Sequence, residues 1–305
     1  MKLLVLGAGA VGGYFGGRVA QSGADVTFLV RSRRRAQLER DGLRLESPHG
    51  DATLAVRTVD ASDVEPVYDF VLLSCKAYDL DTAMEAIAPA MAEHSVIVPL
   101  LNGMAHLSRL DERFGASRVM GGTCWISATL DPDGVIRQVD PLQRIAFGDR
   151  GGASSGRGVA LANAFAPTGV PCELVEQTEK ERWEKGACLS GFAPATCLFR
   201  ANIGEIIAAP GGLEAVQEAF AVNCEAAACA GHPLRPAVIE RALGALTVPS
   251  ARNASMRHDL DSGNRVESDQ IVGWMADVAR AHGLRPTLLA HAFTHLKAYE
   301  ARLGA

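Results

Sequence analysis

Apolar residues follow two rhythms along this chain. In the first part they form short unbroken runs, Leu3–Leu6, Asp25–Val30 (DVTFLV), Asp69–Ser74 and Ser95–Leu101. Runs of this length bounded by glycine and polar residues predict strands buried on both faces of a parallel sheet. Helical spacing intervenes at Val11–Gln21, closed by Gly23, and at Leu80–Met91. Leu43–Ser47 and Ala52–Val56 flank His49-Gly50-Asp51 and predict a hairpin. Arg118–Leu130, Val135–Gln138 and Arg144–Phe147 predict three more strands, the first two joined by the turn Asp131-Pro132-Asp133-Gly134. Gly148–Gly158 lacks the Lys-Ser/Thr ending of a P-loop and reads as a flexible surface connection. A helix at Val159–Phe165 and a strand at Cys172–Val175 close this part.

From about Gln177 the strand-like runs stop and helical periods take over. Helices are predicted at Glu179–Phe199 with a bend at Pro194, Ile203–Ala208, Leu213–Ala230, Pro236–Leu246, Glu267–His282 and Pro286–Arg302. The expected architecture is an α/β Rossmann-type N-terminal domain over residues 1–177 and an all-α C-terminal domain over residues 178–305.

The first strand runs into the decisive motif. Gly7, Gly9 and Gly12 form G-x-G-x-x-G between a strand and a helix, the context in which that spacing binds a dinucleotide. Gly7 permits the turn, Gly9 lets a pyrophosphate approach, and Gly12 lets helix and strand pack closely. The N–H groups of Ala10, Val11 and Gly12 then face the phosphates at the positive end of the helix. An NAD site carries Asp or Glu at the end of the second strand, for the ribose 2′-OH. Here that position is Arg31, followed by Ser32-Arg33-Arg34-Arg35, so the expected cofactor is NADP. Some of Arg33–Arg35 is expected to be merely a solvated basic helix start.

Composition narrows the rest. The 305 residues are 48% hydrophobic and 21% charged, enough for two domains. A net charge of −5 predicts no bulk attraction to nucleic acid or anionic membrane. The seven cysteines are scattered without a C-x-x-C pair, which fits a reducing cytoplasm better than a disulfide framework. Cys224 and Cys229 are expected to pack helices, as are Trp183 and Trp274. The segment MKLLVLGAGAVGG superficially mimics a signal peptide, but the nucleotide motif accounts for the same residues. No apolar stretch reaches the roughly 18 residues of a membrane helix. His291 and His295 lie four residues apart without an evident third ligand, so no metal is expected.

Ligands of open α/β sheets sit beyond the carboxyl ends of strands. Gly7, Arg31, Lys76 and Asn102 all stand at such ends. Taken alone, Lys76 reads equally as a solvated loop lysine and Asn102 as a turn former before Gly103. Lys185 borders the almost uncharged run Gly186–Phe192, so it is either a snorkelling surface group or a partly buried acid, expected where the two domains meet. Ser255 and Glu267 flank the charged, turn-rich segment Met256–Val266, read as a loop entering a helix. Glu267 is either a site carboxylate or an ordinary helix-start acid.

Taken in order, Gly7-Ala8-Gly9-Ala10-Val11-Gly12, Arg31, Cys75-Lys76-Ala77-Tyr78, Asn102-Gly103-Met104, Trp183-Glu184-Lys185, Ser255-Met256-Arg257-His258-Asp259 and Glu267 make the chain resemble the ketopantoate reductase (2-dehydropantoate 2-reductase) family over essentially its full length. The resemblance implies NADPH-dependent reduction of a 2-oxo acid, in the pantothenate pathway or a paralogue of it. It implies Lys185 as general acid, Glu267 as its polar partner, and Asn102 positioning substrate and nicotinamide. Ser255 would bind substrate, and Arg31 and Lys76 would grip the 2′-phosphoadenosine end. The chain departs from the family where asparagines are expected four and eight residues after the lysine. Leu189 and Ala193 stand there and would line the substrate site. Ile203 stands where a further asparagine is expected, with Asn202 as a neighbour able to substitute only if the backbone shifts. The departure opens the substrate to a more apolar 2-oxo acid or ketone, because losing a polar partner changes selectivity by orders of magnitude. A sensor that binds NADP without turnover is the alternative from another class, and an opine-type dehydrogenase a third. The expected partner is a small molecule, with a homodimer left open.

Overall fold

The computed structural model describes residues 1–151 and 156–304. Contacts divide the chain into two compact units, Met1–Leu101 with Ala105–Glu179, and Lys180–Ala305 with Asn102–Met104.

The first unit is built on a parallel sheet. Strands β1 (Lys2–Leu6), β2 (Asp25–Leu29), β5 (Arg57–Val59), β6 (Phe70–Leu73) and β7 (Val96–Pro99) lie in the order β5-β2-β1-β6-β7. The chain order reverses about β1, which places the switch point beside the glycine-rich turn. Successive strand residues enter opposite clusters. Leu3, Val5, Val26, Phe28, Phe70, Leu72, Val96 and Val98 belong to one core, and Leu4, Leu29, Val71, Leu73 and Ile97 to the other. The unbroken apolar runs are therefore a sheet buried on both sides.

A second sheet was legible only in pieces. The hairpin strands β3 (Leu43–Glu46) and β4 (Ala52–Leu54) pair as expected, and β3 continues onto β9 (Val135–Gly148), which also pairs with β8 (Gly121–Leu130) and β10 (Cys172–Leu174). β9 is a single strand of 14 residues, where the sequence predicts two short ones. Residues 139–142, Pro141 among them, face the irregularity between Ile126 and Ala128 and have no cross-strand partner. A proline there removes no ladder hydrogen bond, so the strand runs through it. Of Gly148–Gly158, residues 152–155 lie outside the described residues.

Helix α1 (Ala10–Gln21) lies between the two sheets, and its paired glycines make that possible. A Cβ at Gly16 would lie 2.8 Å from Val5, and one at Gly13 would lie 2.2 Å from Ile136, so one helix face meets each sheet. Helix α2 (Ser32–Asp41) carries the basic run. Helices α3 (Leu80–Ile87) and α4 (His106–Phe114) contribute to the other core; α4 has no counterpart among the sequence expectations. Helix α5 (Gly156–Phe165) completes the unit.

The second unit is helical: α6 (Thr178–Phe199), α7 (Ile203–Ala208), α8 (Gly212–Cys229), α9 (Pro236–Thr247), α10 (Ser255–Asp261), α11 (Trp274–Ala281) and α12 (Thr287–Leu303). Pro194 lies inside α6. Trp183 packs against Trp274 with centroids 4.9 Å apart, as expected, and stacks on His232 at 4.4 Å. Cys224 packs against the core, whereas Cys229 is exposed, contrary to expectation. Among the described residues no cysteine is in a disulfide. Two expectations are corrected. The segment after Ser255 is the helix α10 rather than a loop, because Met256 and Leu260 bury one face. The helix expected from Glu267 begins with a π-helical turn, Asp269–Gly273.

The helix α6 is anchored by an ion triad. Arg235, at the start of α9, donates from its backbone N and its Nε to Glu184 Oε1 at 2.8 Å each, and from Nη2 to both Glu184 and Glu181. Glu184 is 4% exposed and Glu181 10%. Burial pushes the Glu184 carboxyl up, but the Arg235 hydrogen bonds outweigh it and hold it below the ordinary glutamate range. A depressed carboxylate stabilises the fold above its unfolded pKa and loses that contribution as pH falls through its folded pKa. Arg235→Leu removes the guanidinium hydrogen-bond donors of the Glu184 carboxylate. It is expected to cost about 2 kcal/mol at neutral pH, below the usual cost of a broken buried pair because Arg235 is half exposed. The cost should shrink below about pH 4, as the carboxyls protonate. Urea unfolding of wild type and variant at neutral pH and at about pH 3 checks this; an equal loss at both would refute it.

Candidate functional site

The dinucleotide turn is built as its glycines require. Gly7 has φ +83°, and its N–H donates to Leu29 O at 2.9 Å. A Cβ at Gly12 would lie 2.2 Å from Ser74 Oγ and 2.6 Å from Gly7 O, so only glycine lets the helix start this close to the strand. Beside Gly7 and Gly9 an added Cβ would meet nothing within 4 Å, leaving open space against the turn. Helix α1 is capped by Gly9 with no side-chain bond and has no acid in its first turn. The N–H groups of Ala10, Val11 and Gly12 are thus left for an anion, and the turn fits a dinucleotide pyrophosphate.

The basic run divides by function. Arg31 is the exposed cap residue of α2, and among the described residues its guanidinium has no hydrogen bond or ion pair. Arg35 is fixed to Glu39 and Asp60, each at 3.0 Å, as the solvated-helix expectation allowed. Arg34 turns inward to the Ala8 carbonyl at 3.1 Å. Lys76 is half-buried at the cap of a short 3-10 turn, Ala77–Asp79.

The helical unit brings three other candidates onto one framework. Lys185 is on α6 and only 7% exposed. It is not a snorkelling surface group, and among the described residues its ammonium has no ion pair or hydrogen bond. Leu189, half-buried, and Ala193, 2% exposed, follow at helical spacing on the same face. Glu267, 5% exposed, lies two residues before the π-helical turn, and the residue between them, Ser268, donates from its hydroxyl to Glu300. Ser190 Oγ donates to Ile271 O at 2.5 Å, tying α6 to that turn.

Asn102-Gly103-Met104 follows β7 in the chain yet clusters with the helical unit. Arg182 Nη2, three residues before Lys185, donates to Met104 O at 3.1 Å. A Cβ at Gly103, where φ is +83°, would lie 2.6 Å from Gln270 O. The segments carrying Asn102, Lys185 and Glu267 are therefore held together by side-chain-to-backbone hydrogen bonds and by the close approach of Gly103 to Gln270. Ser255 shares none of these links; it is exposed at the start of α10. Asn202 does not replace the missing asparagine. Its Oδ1 accepts from Glu205 N at 2.9 Å, in a capping box at the start of α7. The sequence reading missed Arg182 and the π-helical turn. The first was signalled by a cation one turn before Lys185, while nothing in periodicity separates a π-helical turn from an α-helical one.

Comparison with known proteins completes the description. The family model of ketopantoate reductase PanE/ApbA matches residues 3–152, and that of its C-terminal part matches residues 177–300. An uncharacterized oxidoreductase of Bacillus subtilis, YkpB, is 34% identical over 304 residues, covering 99% of both chains. The 2-dehydropantoate 2-reductase of Geobacter metallireducens has a TM-score of 0.88 at 25% identity, over 98% of this chain and 99% of that one. A D-mandelate dehydrogenase in complex with NADH and anilino(oxo)acetate shares the fold, with a TM-score of 0.86 at 21% identity over the whole of both chains.

Proposed function

The chain belongs to the ketopantoate reductase family, and from that premise we propose that it is an NADPH-dependent reductase of a 2-oxo acid, with Lys185 as proton donor. One observation carries the reading: a lysine only 7% exposed, without a counter-charge among the described residues. Keeping such a group costs folding free energy, which a fold bears where the group has work to do.

NADPH, when bound, supplies the hydride. The N–H groups of Ala10, Val11 and Gly12, with the room left by Gly7 and Gly9, hold the pyrophosphate. Arg31, with Lys76, holds the 2′-phosphate, and the absence of an acid at position 31 favours NADP over NAD. Lys185 Nζ hydrogen-bonds the carbonyl oxygen and gives it a proton as negative charge develops there; the amine regains its proton from water. Asn102 orients the reacting carbonyl, Glu267 holds the forming hydroxyl, and Ser255 binds the substrate's polar end.

Leu189 and Ala193 offer no hydrogen bond to a hydroxylated side chain. A substrate hydroxyl buried there unpaired costs about 1–3 kcal/mol, or roughly tenfold to a hundredfold in selectivity. We therefore assign the protein a 2-oxo acid with an apolar side chain in preference to 2-dehydropantoate. The test is NADPH absorbance followed with 2-dehydropantoate and with 2-oxo acids bearing branched aliphatic or phenyl side chains. At least about tenfold higher kcat/KM on the apolar substrates is expected. A preference for 2-dehydropantoate would overturn the substrate assignment alone. Tight NADPH binding without turnover on any of them would make the protein a sensor.

A further inference from the structure

Arg34 is the third residue of α2, and its guanidinium faces the protein. Its Nε donates to the Ala8 carbonyl at 3.1 Å, and its Nη1 to the Gly134 carbonyl at 3.1 Å and to Gln37 Oε1 at 2.5 Å. All three acceptors are neutral, and among the described residues no carboxylate pairs with it. Its Nη2 is buried and has no hydrogen-bond partner. Burial, and then the neighbouring Arg44 cation, push its pKa below the usual guanidinium range. Two other arginines are neutralised by carboxylates: Arg35 by Glu39 and Asp60, and Arg235 by Glu181 and Glu184.

The acceptor at Ala8 explains the arrangement. In an anion-binding turn the N–H groups face the ligand, so the carbonyls must face away and find donors there. Arg34 Nε is that donor for Ala8, inside the G-x-G-x-x-G turn. The same guanidinium is kept in place by the turn between β8 and β9. Gly134 lies so close to α2 that a Cβ on it would come within 2.2 Å of Gln37 Nε2.

We propose that Arg34 is a positioning residue of the dinucleotide site, which turns the Ala8 carbonyl away from the phosphates and reserves an unneutralised positive charge for the pyrophosphate. The proposal rests on the cofactor reading above. A cation left without a carboxylate beside a phosphate turn is compensated when the ligand arrives, so folding and binding are linked through it.

The experiment titrates NADPH and NADH into the full-length wild type, Arg34→Gln, Arg34→Lys and Arg31→Gln by fluorescence, and measures melting temperatures with and without saturating NADPH. Arg34→Gln is expected to weaken both dinucleotides about tenfold and by the same factor, because both carry the pyrophosphate. Arg34→Lys keeps the charge and should keep most of the affinity. Arg31→Gln should weaken NADPH more than NADH. The rise in melting temperature that NADPH gives should shrink in Arg34→Gln, whereas a merely structural role would lower the melting temperature of the free protein and leave affinity intact. Unchanged affinity in Arg34→Gln, or Arg34→Lys binding no better than Arg34→Gln, overturns the proposal. So does a loss confined to NADPH, which would move the charge's target to the 2′-phosphate. Should Arg34→Gln not fold, a loss of about tenfold or more in Arg34→Lys overturns it and near-wild-type affinity supports it. Failure of the wild type to bind either dinucleotide is a different result: it removes the cofactor reading, and this proposal with it.

Discussion

Lys185→Ala is expected to lower kcat by about 10²–10⁴-fold with NADPH affinity unchanged. That is the contribution of a positioned general acid, and the residue is assigned to the proton rather than to the nucleotide. A second signature separates catalysis from structure. Lys185 is 7% exposed with no counter-charge among the described residues, so the fold carries the cost of an unpaired buried cation. Lys185→Met, close in shape and uncharged, should therefore raise the denaturant midpoint while abolishing turnover, the usual opposition between stability and activity at a working site. Steady-state kinetics and urea unfolding on the same preparations measure both. A variant as active as wild type, or one that loses activity only because it unfolds, would remove Lys185 from the reaction.

The second large effect is expected one residue from Asn102. Gly103→Ala should lower kcat/KM about 10²-fold, the cost of misplacing a reacting group by about 1 Å. Gly103 combines φ +83° with a contact that leaves no room: the new Cβ would lie 2.6 Å from Gln270 O and 3.0 Å from Gln270 Cβ, in the π-helical turn that follows Glu267. The backbone must move, and Asn102 and Glu267 separate. Gly115→Ala is the control. Gly115 has φ +88° but nothing within 4 Å of an added Cβ, so it carries the conformational strain without the collision. Gly103→Ala should lose at least as much stability as Gly115→Ala, and it alone should lose turnover. If Gly115→Ala were equally impaired, the collision would not be the cause.

The two halves of the chain differ in what they reveal before folding. The parallel strands and the glycine turn were legible because each is specified locally: an apolar run of four to six residues, a positive φ that only glycine takes easily, a cation where an acid would select NAD. The continuous strand Val135–Gly148 was not, because Pro141 breaks the pattern and only the facing irregularity in β8 accommodates it. Nor was the placing of α1 between two sheets, since a glycine repeat does not say what approaches it.

The candidate residues divide in the same way. The sequence by itself determined the order of the motifs, the arginine at the end of the second strand, the change from α/β to helical texture and the apolar replacement of the helix face at Leu189 and Ala193, all properties of residue type at a spacing. Only the tertiary structure decided that Lys185 is buried, that Arg34 and Arg35 have opposite fates although adjacent, that Asn202 is spent on a helix cap, and that Asn102 is held with the helical unit by Arg182 and Gln270. Burial and the partner of a charge depend on segments far apart in the chain, and no local pattern encodes which of them arrive together.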